Sequence, residues 1–312
     1  MKFPEGGILA ALRLPFDAEG NLLEAALESH LRWLKGCGIQ GVLGLGSTAE
    51  FPLLTVKQRC HALEALARLA DPLPVIANIS DNRPDIIRDL GHEVRRLGLP
   101  GAAIMPPSFY PANEADQLAH FLYAAEQAGS AMMLYNFPEL TGNRITPATI
   151  SAFADRAPMA GIKQSGGEFP YHKELISLGR EKRFPVFSGS DLRLPEVLEM
   201  GAAGCIGGLV NIVPELMVEQ YREHRTGEAH DPELIQRMQT VGKLMDRVTF
   251  PENVPAGMQA RGFEPGTFQR ILAAQTHEDA SALSADLRRL FVSWGLSTEG
   301  CPSGNRSSLN YT

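Results

Sequence analysis

Short apolar runs alternate with longer amphipathic stretches along most of the chain. Because the runs are continuous rather than alternating, each is typical of a strand buried on both faces of a parallel sheet. The runs are Gly7–Leu12, Gly41–Leu45, Val75–Asn78, Gly101–Met105, Ala131–Tyr135, Met159–Lys163, Val186–Ser188 and Gly204–Gly207. Eight strands that alternate with helices predict an α/β fold, a closed (β/α)8 or TIM barrel. An open doubly wound sheet is the alternative.

Helix start signals support this division. Thr55 and Gln58 have the spacing of a capping box, in which each side chain bonds the backbone amide of the other residue. Thr146 precedes a proline that suits the first helical position. Asn113 precedes two acidic residues placed at the positive end of a helix. These three positions are therefore predicted helix N-termini.

The eighth strand–helix unit is expected to end near Arg225, which makes residues 1–225 the catalytic barrel. Residues 226–296 are predicted to form a C-terminal helical extension. Its helices are expected at Asp231–Val248 and Glu278–Ser293, joined by Phe250–Gly266. Residues 297–312 are rich in Gly, Ser and Asn, and we expect a flexible tail or an intersubunit arm.

Charge and composition exclude several classes of protein. The chain carries 29 basic and 36 acidic side chains, a formal net charge of −7, which argues against nucleic acid or an anionic membrane as partner. We find no signal peptide and no apolar run long enough to span a membrane, so a cytoplasmic location is expected. The four cysteines form no CxxC pair and the histidines form no cluster, so no metal site is expected.

Lys163 is the most informative residue. Only seven of the 29 basic residues are lysines, and Lys163 alone ends an apolar, strand-like run. Partial desolvation at the end of a barrel strand favours the neutral amine, which imine formation with a carbonyl substrate requires. The alternative is a structural lysine that pairs with a carboxylate of the barrel.

Other residues at predicted strand ends can serve the same chemistry. Tyr135 ends the preceding strand, where a phenol can pass a proton to or from a substrate oxygen. The Gly46–Glu50 loop follows the second strand, and its backbone amides and hydroxyls suit a small carboxylate. Each feature also has a purely structural interpretation. Tyr135 can cap the core, and the Gly46–Glu50 loop can be an ordinary turn.

The chain resembles the N-acetylneuraminate lyase and dihydrodipicolinate synthase family of pyruvate-dependent class I aldolases. The resemblance rests on the order and spacing of five motifs. They are Ala10-Ala11-Leu12-Arg13-Leu14-Pro15-Phe16, the Gly46–Glu50 loop, Tyr135-Asn136-Phe137-Pro138, Gly161-Ile162-Lys163 and Gly189-Ser190-Asp191.

The resemblance implies a role for each of several residues. Lys163 would form the Schiff base with pyruvate, and Tyr135 would shuttle the proton as the C–C bond breaks or forms. Ser47 and Thr48 would hold the pyruvate carboxylate. Two further substrate contacts are expected, at Gly189 and Ile206. The family resemblance further implies that the reaction needs no cofactor. It also implies that the protein forms a homotetramer built as a dimer of dimers.

Departures from the family pattern concern the second substrate, an aldehyde. An arginine usually follows the Tyr-Asn-x-Pro motif, but this chain has Leu140 there, with Arg144 or Arg193 as possible replacements. Sialic acid lyases carry an acidic residue and a serine where this chain has Leu192 and Gly208. We therefore expect an aldehyde less polar than a sugar or a semialdehyde. The possible substrate pocket comprises Leu140, Ser165, Asp191, Leu192 and Gly208.

Two further departures concern the proton relay and the carboxylate loop. Ungapped alignment puts Ser108 where a relay tyrosine usually stands, and Tyr110 could serve only if the loop shifts. Ala49 replaces a glycine, which would cost about 1 kcal/mol if that residue needed a positive φ.

Three alternative functions stay open beside a pyruvate-dependent aldolase with an unknown aldehyde. They are a dehydratase of a 2-oxo-3-deoxy sugar acid, a 4-hydroxy-2-oxoglutarate aldolase, and a non-catalytic barrel that binds a 2-oxo acid.

Overall fold

Eight parallel strands close into a barrel in the computed structural model, which describes residues 2–300. Each strand pairs with its neighbour in sequence, and the first also pairs with the last. The strands are β1 (Gly7–Ala11), β2 (Gly41–Gly44), β3 (Val75–Asn78), β4 (Gly101–Ile104), β5 (Ala131–Asn136), β6 (Met159–Gln164), β7 (Val186–Ser188) and β8 (Gly204–Gly207). The predicted TIM barrel is confirmed, with each strand end within one residue of its predicted position.

Side chains alternate between the interior of the barrel and the layer beneath the helices. In β1, Leu9 and Ala11 point inward while Ile8 and Ala10 face the outer layer. Alternation within a fully buried strand explains why the sequence shows continuous apolar runs. The inner layer consists of Leu9, Ala11, Leu43, Ile76, Ala103, Met105, Met133, Tyr135, Phe187 and Ile206.

Helices surround the barrel and connect successive strands. They are α1 (Glu24–Gly36), α2 (Val56–Leu69), α3 (Pro84–Arg96), α4 (Glu114–Ala128), α5 (Pro138–Thr141), α6 (Pro147–Ala154), α7 (Tyr171–Lys182), α8 (Leu194–Met200) and α9 (Pro214–Thr226). The three predicted N-termini are confirmed: Thr55, Asn113 and Thr146 each accept a hydrogen bond from an amide of the first turn. The capping box is complete, because Gln58 Oε1 accepts from the Thr55 amide at 2.8 Å.

Three helices form the C-terminal extension: α10 (Pro232–Met245), α11 (Asn253–Ala260) and α12 (Ala274–Ser293). Helix α11 lies inside the stretch that the sequence analysis treats only as a connection. Its Pro255 stands in the first turn, where the missing amide would have no partner in any case. Since most of its side chains are buried, packing rather than amphipathic periodicity stabilises this helix.

Buried polar contacts join the extension to the barrel. The Arg261 guanidinium, 1 % exposed, pairs with Glu215 of α9. It also lies over the rings of Trp33 and Phe291, at 4.9 and 5.3 Å from their centroids. The junction therefore combines an ion pair with aromatic packing.

The start of the predicted tail packs on the extension. The Thr298 carbonyl accepts from Arg288 at 2.9 Å, and the Gly300 amide donates to the Arg261 carbonyl at 2.8 Å. The rest of the predicted tail, 301–312, lies outside the described residues. Across residues 2–300, we find no helix with the length and apolar character needed to cross a membrane.

Candidate active site

Lys163 lies at the carboxyl end of the barrel, one residue before the end of β6. It is 3 % exposed, and the parallel register pairs it with Tyr135 of β5. Its Nζ lies 4.3 Å from the centroid of the Tyr135 ring. Within residues 2–300 Lys163 forms no direct ion pair with a carboxylate, although its charge acts on the buried Asp191 carboxyl.

Tyr135 connects the lysine to the loop after β2. Its hydroxyl and Ser47 Oγ are 3.2 Å apart, and either oxygen can donate. This contact gives a proton at the phenol a direct route to a second hydroxyl. The structure thus brings together Lys163, Tyr135 and Ser47, as the sequence analysis expected.

The Ser47–Ala49 segment is one turn of 3₁₀ helix. Its own hydrogen bonds use the amides of Ala49 and Glu50, which donate to the carbonyls of Gly46 and Ser47. The amides of Ser47 and Thr48 begin the turn and lie outside those two bonds, as the first amides of a helical turn do. Both residues border the cavity above Lys163, so their donors are available to a carboxylate.

Arg13 supports this turn from behind and is a residue that the sequence analysis quoted without a role. It is 1 % exposed, pairs with Glu50, and donates to the Thr48 carbonyl at 3.5 Å. It also donates to the Thr267 carbonyl at 2.9 Å. The sequence signal that could have identified Arg13 is a single arginine between two leucines at the end of a predicted strand. Arg13 links the turn to the chain that leads into α12.

Glu50, not Ala49, adopts the left-handed conformation in this loop, with φ of 53°. Ala49 lies in the 3₁₀ turn and is not among the residues with positive φ. The conditional cost stated for alanine at position 49 therefore does not arise. The buried pair with Arg13 fixes Glu50 in its conformation.

Gly189 follows β7 and lets the backbone pass close to the lysine. A Cβ on this residue would collide with Ser165 Oγ and lie 3.3 Å from Lys163 Cε. Ile206 of β8 belongs to the inner layer and borders the same cavity. The structure therefore places Gly189, Ser165 and Ile206 beside Lys163.

Asp191 is a half-buried carboxylate that secures the turn after β8. It accepts hydrogen bonds from the amides of Gly208 and Leu209, each at 3.2 Å, and from the Cys205 thiol at 3.5 Å. Burial raises the pKa of the Asp191 carboxyl above its ordinary value, while the Leu209 amide and the Lys163 charge act against the shift. Its oxygens are largely engaged with the protein backbone.

A cavity of about 370 Å³ opens above Lys163, and residues of the extension form part of its lining. Leu192 and Gly208 border it, as predicted, together with Thr48. The sequence analysis missed several apolar side chains that also border it, and four of them are large and lie outside the barrel strands. These are Phe137 of the loop after β5, and Met245, Phe250 and Val254 of the extension.

Three predicted residues lie outside this cavity: Leu140, predicted for the substrate pocket, and Ser108 and Tyr110, predicted as candidates for the proton relay. Leu140 and Ser108 border a separate cavity of about 480 Å³, which shares Ser47 with the first. The Ser108 amide donates to Asn82 Oδ1 at 2.8 Å. Tyr110 is 72 % exposed and packs edge-on against Phe109. Because the loop after β4 turns outward, neither Ser108 nor Tyr110 joins the Tyr135–Ser47 contact.

The two arginines that could replace the missing family arginine are already paired. Arg144 Nε lies 2.7 Å from Glu168, and its guanidinium stacks on Tyr171. Arg193 donates to both oxygens of Glu196, at 3.1 and 3.2 Å. Both arginines are partly exposed, and only Arg193 makes hydrogen bonds to its carboxylate partner, so a substrate carboxylate would have to compete with Glu196 for that fork.

Known proteins resemble this chain across most of its length. The sequence model of the dihydrodipicolinate synthetase family matches residues 4–290. An uncharacterized DapA-like lyase of Halobacterium salinarum is 28 % identical over 288 residues, which cover 91 % of this chain and 93 % of that protein. A 4-hydroxy-tetrahydrodipicolinate synthase of Methanothrix thermoacetophila is 27 % identical over 286 residues, with 91 % and 96 % coverage.

A solved structure shares the fold. It is a prophage protein of E. coli K12 that belongs to the dihydrodipicolinic acid synthase family, in complex with pyruvate. The TM-score is 0.82 at 24 % identity, over 93 % of this chain and 99 % of that one. At this level of identity the likeness concerns the architecture of the barrel and its extension.

Proposed function

Because the chain belongs to the dihydrodipicolinate synthetase family, we propose that it makes or cleaves a C–C bond with pyruvate as one partner, through a Schiff base on Lys163. The chain is a lyase. The observation that carries the proposal is the buried Lys163 amine, which opens onto a cavity beside Tyr135 and Ser47. The pyruvate complex of the structurally similar prophage protein supports the choice of 2-oxo acid.

The first half of the reaction builds the nucleophile. Lys163 Nζ attacks C2 of pyruvate, Tyr135 passes a proton to the carbinolamine oxygen, and loss of one water gives a protonated imine. The Ser47 and Thr48 amides and hydroxyls hold the carboxylate, which orients C2 toward the amine. Loss of a proton from C3 to the Tyr135 phenolate then gives an enamine, because the cationic imine takes up the electron pair of the broken C–H bond.

The second half forms the new bond. The enamine C3 attacks the carbonyl carbon of the aldehyde, and the aldehyde oxygen takes a proton from Tyr135. Ser47, 3.2 Å from the phenol, is placed to return that proton. One water then hydrolyses the imine and frees the Lys163 amine. Cleavage follows the same steps in reverse.

Borohydride reduction in the presence of pyruvate tests the proposal directly. We expect a reduced pyruvyl group on the peptide that contains Lys163, detected by mass spectrometry. Lys163→Ala should abolish it, whereas Lys173→Ala should retain it, because Lys173 is exposed on α7. An adduct that survives in Lys163→Ala, or no adduct in the wild type, would contradict the proposal. An adduct without turnover of any aldehyde or 2-oxo acid would instead indicate a non-catalytic binding barrel.

The homotetramer remains a prediction from the family resemblance, and the cytoplasmic location remains one from the sequence pattern. Sedimentation velocity of the purified chain measures the assembly state. The identity of the aldehyde is a separate question, which the shape and polarity of the cavity address.

A further inference from the structure

Part of the lining of the Lys163 cavity is apolar. We call it the apolar wall and define it as Phe137, Leu192, Met245, Phe250 and Val254. Three of these five side chains come from the extension. The reactive groups, by contrast, come from the ends of the barrel strands. A substrate held at Lys163 that fills the cavity would therefore contact these hydrocarbon side chains.

Leu192 is held firmly in this wall by α10. Its side chain fills the space that a Cβ on Gly242 would occupy, so the helix backbone approaches the turn closely. The Gln239 amide group also donates to the Leu192 carbonyl at 3.0 Å. Because both the side chain and the backbone of Leu192 contact α10, the wall is preformed rather than dependent on a ligand.

Most polar groups near the wall are engaged or exposed, and the remaining acceptor, Asn253 Oδ1, is covered by protein and has no hydrogen-bond partner among the described residues. Arg193 is paired with Glu196 and lies over the Phe169 ring at 3.3 Å. The Asp191 carboxylate accepts the two backbone amides described above. Asp246 lies at the exposed rim of the cavity. A polyhydroxylated chain placed along the wall would lose water without gaining partners there, which disfavours its binding.

We propose that the aldehyde partner carries an apolar body, either a branched aliphatic chain or an aromatic ring. The inference rests on the proposed Schiff-base function and specifies its second substrate. A cavity of about 150 Å³ can hold a benzene ring. The observed volume of about 370 Å³ therefore has room for a pyruvyl group and a ring-sized substituent together. The bond that forms is the one already described, between the enamine C3 and the aldehyde carbon.

A matched pair of aldehydes tests the inference. Replacing both hydroxyls of glyceraldehyde by methyl groups gives 2-methylbutanal, which has nearly the same shape. We expect kcat/KM for pyruvate consumption to be about 10-fold or more higher with 2-methylbutanal. Equal or faster reaction with glyceraldehyde would overturn the inference. Borohydride trapping on the same sample keeps the two proposals apart, because a trapped adduct with a glyceraldehyde preference contradicts only this one. Failure to trap pyruvate at all would remove both.

Substitutions in the wall locate the preference. Leu192→Gln keeps the length of the side chain, and Val254→Thr keeps its shape, while each adds a polar group. We expect either change to lower the ratio of the two kcat/KM values by about 10-fold. Val292→Gln is the matched control, since Val292 is 60 % exposed on α12 and should leave the ratio unchanged. Two wall variants are used so that the test still works if one of them fails to fold. An unchanged ratio of the two kcat/KM values in a folded wall variant would overturn the assignment of the wall.

Discussion

The two sides of the Lys163 cavity are built by different parts of the chain. On the barrel side, Lys163 and Tyr135 are fixed by the hydrogen-bonded register of β5 and β6. On the extension side, Met245 and Val254 depend on how α10 and α11 pack against the barrel. The difference suggests a division of labour, in which the rigid sheet holds the chemistry and the packed helices hold the selectivity.

The largest expected effect comes from breaking the junction between these two sides. Arg261→Met leaves the buried Glu215 without its partner, so we expect the free energy of unfolding to fall by about 3–5 kcal/mol. Urea denaturation measures it. The double variant Arg261→Met/Glu215→Leu should recover part of the loss, because no unpaired charge remains. A single variant with the wild-type midpoint would show that the ion pair does not hold the extension in place.

The next effect tests the barrel side alone. Tyr135→Phe removes the phenol that contacts Ser47, so we expect kcat to fall by about 10²–10³-fold while borohydride trapping of pyruvate persists. Steady-state assays with the preferred aldehyde measure it. Tyr123→Phe is the control, because that hydroxyl bonds the Pro84 carbonyl on the outer face, away from the cavity. If the two variants were equally active, the proton would have to travel by another group.

The smallest effect concerns pH and the junction. His30 of α1 is buried, its Nε2 lies 3.1 Å from the Asn211 carbonyl oxygen, and its ring packs 4.9 Å from that of Phe263. Burial lowers the pKa of His30 from 6.5 to about 4, against the opposing effect of the Asn211 carbonyl. Between these values the unfolded chain binds a proton that the native state does not, so stability falls as the pH falls.

The size of this pH effect can be isolated by substitution. From pH 7 to pH 5, His30 should contribute about 2 kcal/mol of lost stability. Urea denaturation measures the decrease in the free energy of unfolding from pH 7 to pH 5. That decrease should be smaller by this amount in His30→Asn than in the wild type. Parallel pH dependences in the two proteins would mean that His30 is protonated in the native state.

The strands and the helix starts could be predicted because their determinants are local. A buried strand shows as a continuous apolar run, and a capping box needs only Thr55 and Gln58 at the right spacing. Helix α11 was not predicted, because its buried side chains show no amphipathic pattern and it contains a proline. Its stability depends on contacts with distant parts of the chain.

The candidate site was predicted only in part, for the same reason. The end of an apolar run places Lys163 at the mouth of the barrel, whatever the surrounding loops do. Leu140, by contrast, borders the other cavity. Alignment with a family motif gives a position in the chain, but loop conformation decides into which cavity the side chain points.

The sequence by itself determined the barrel, the lysine at the end of β6 and the tyrosine beside it. Strand register follows from hydrogen bonds between neighbouring segments, and the period of side chains along a strand is fixed. The tertiary structure decided which other side chains line the cavity of the lysine. Leu192 lies in the apolar wall because Gly242, far along the chain, leaves room for it. Such packing depends on three-dimensional shape, which no local pattern of residues records.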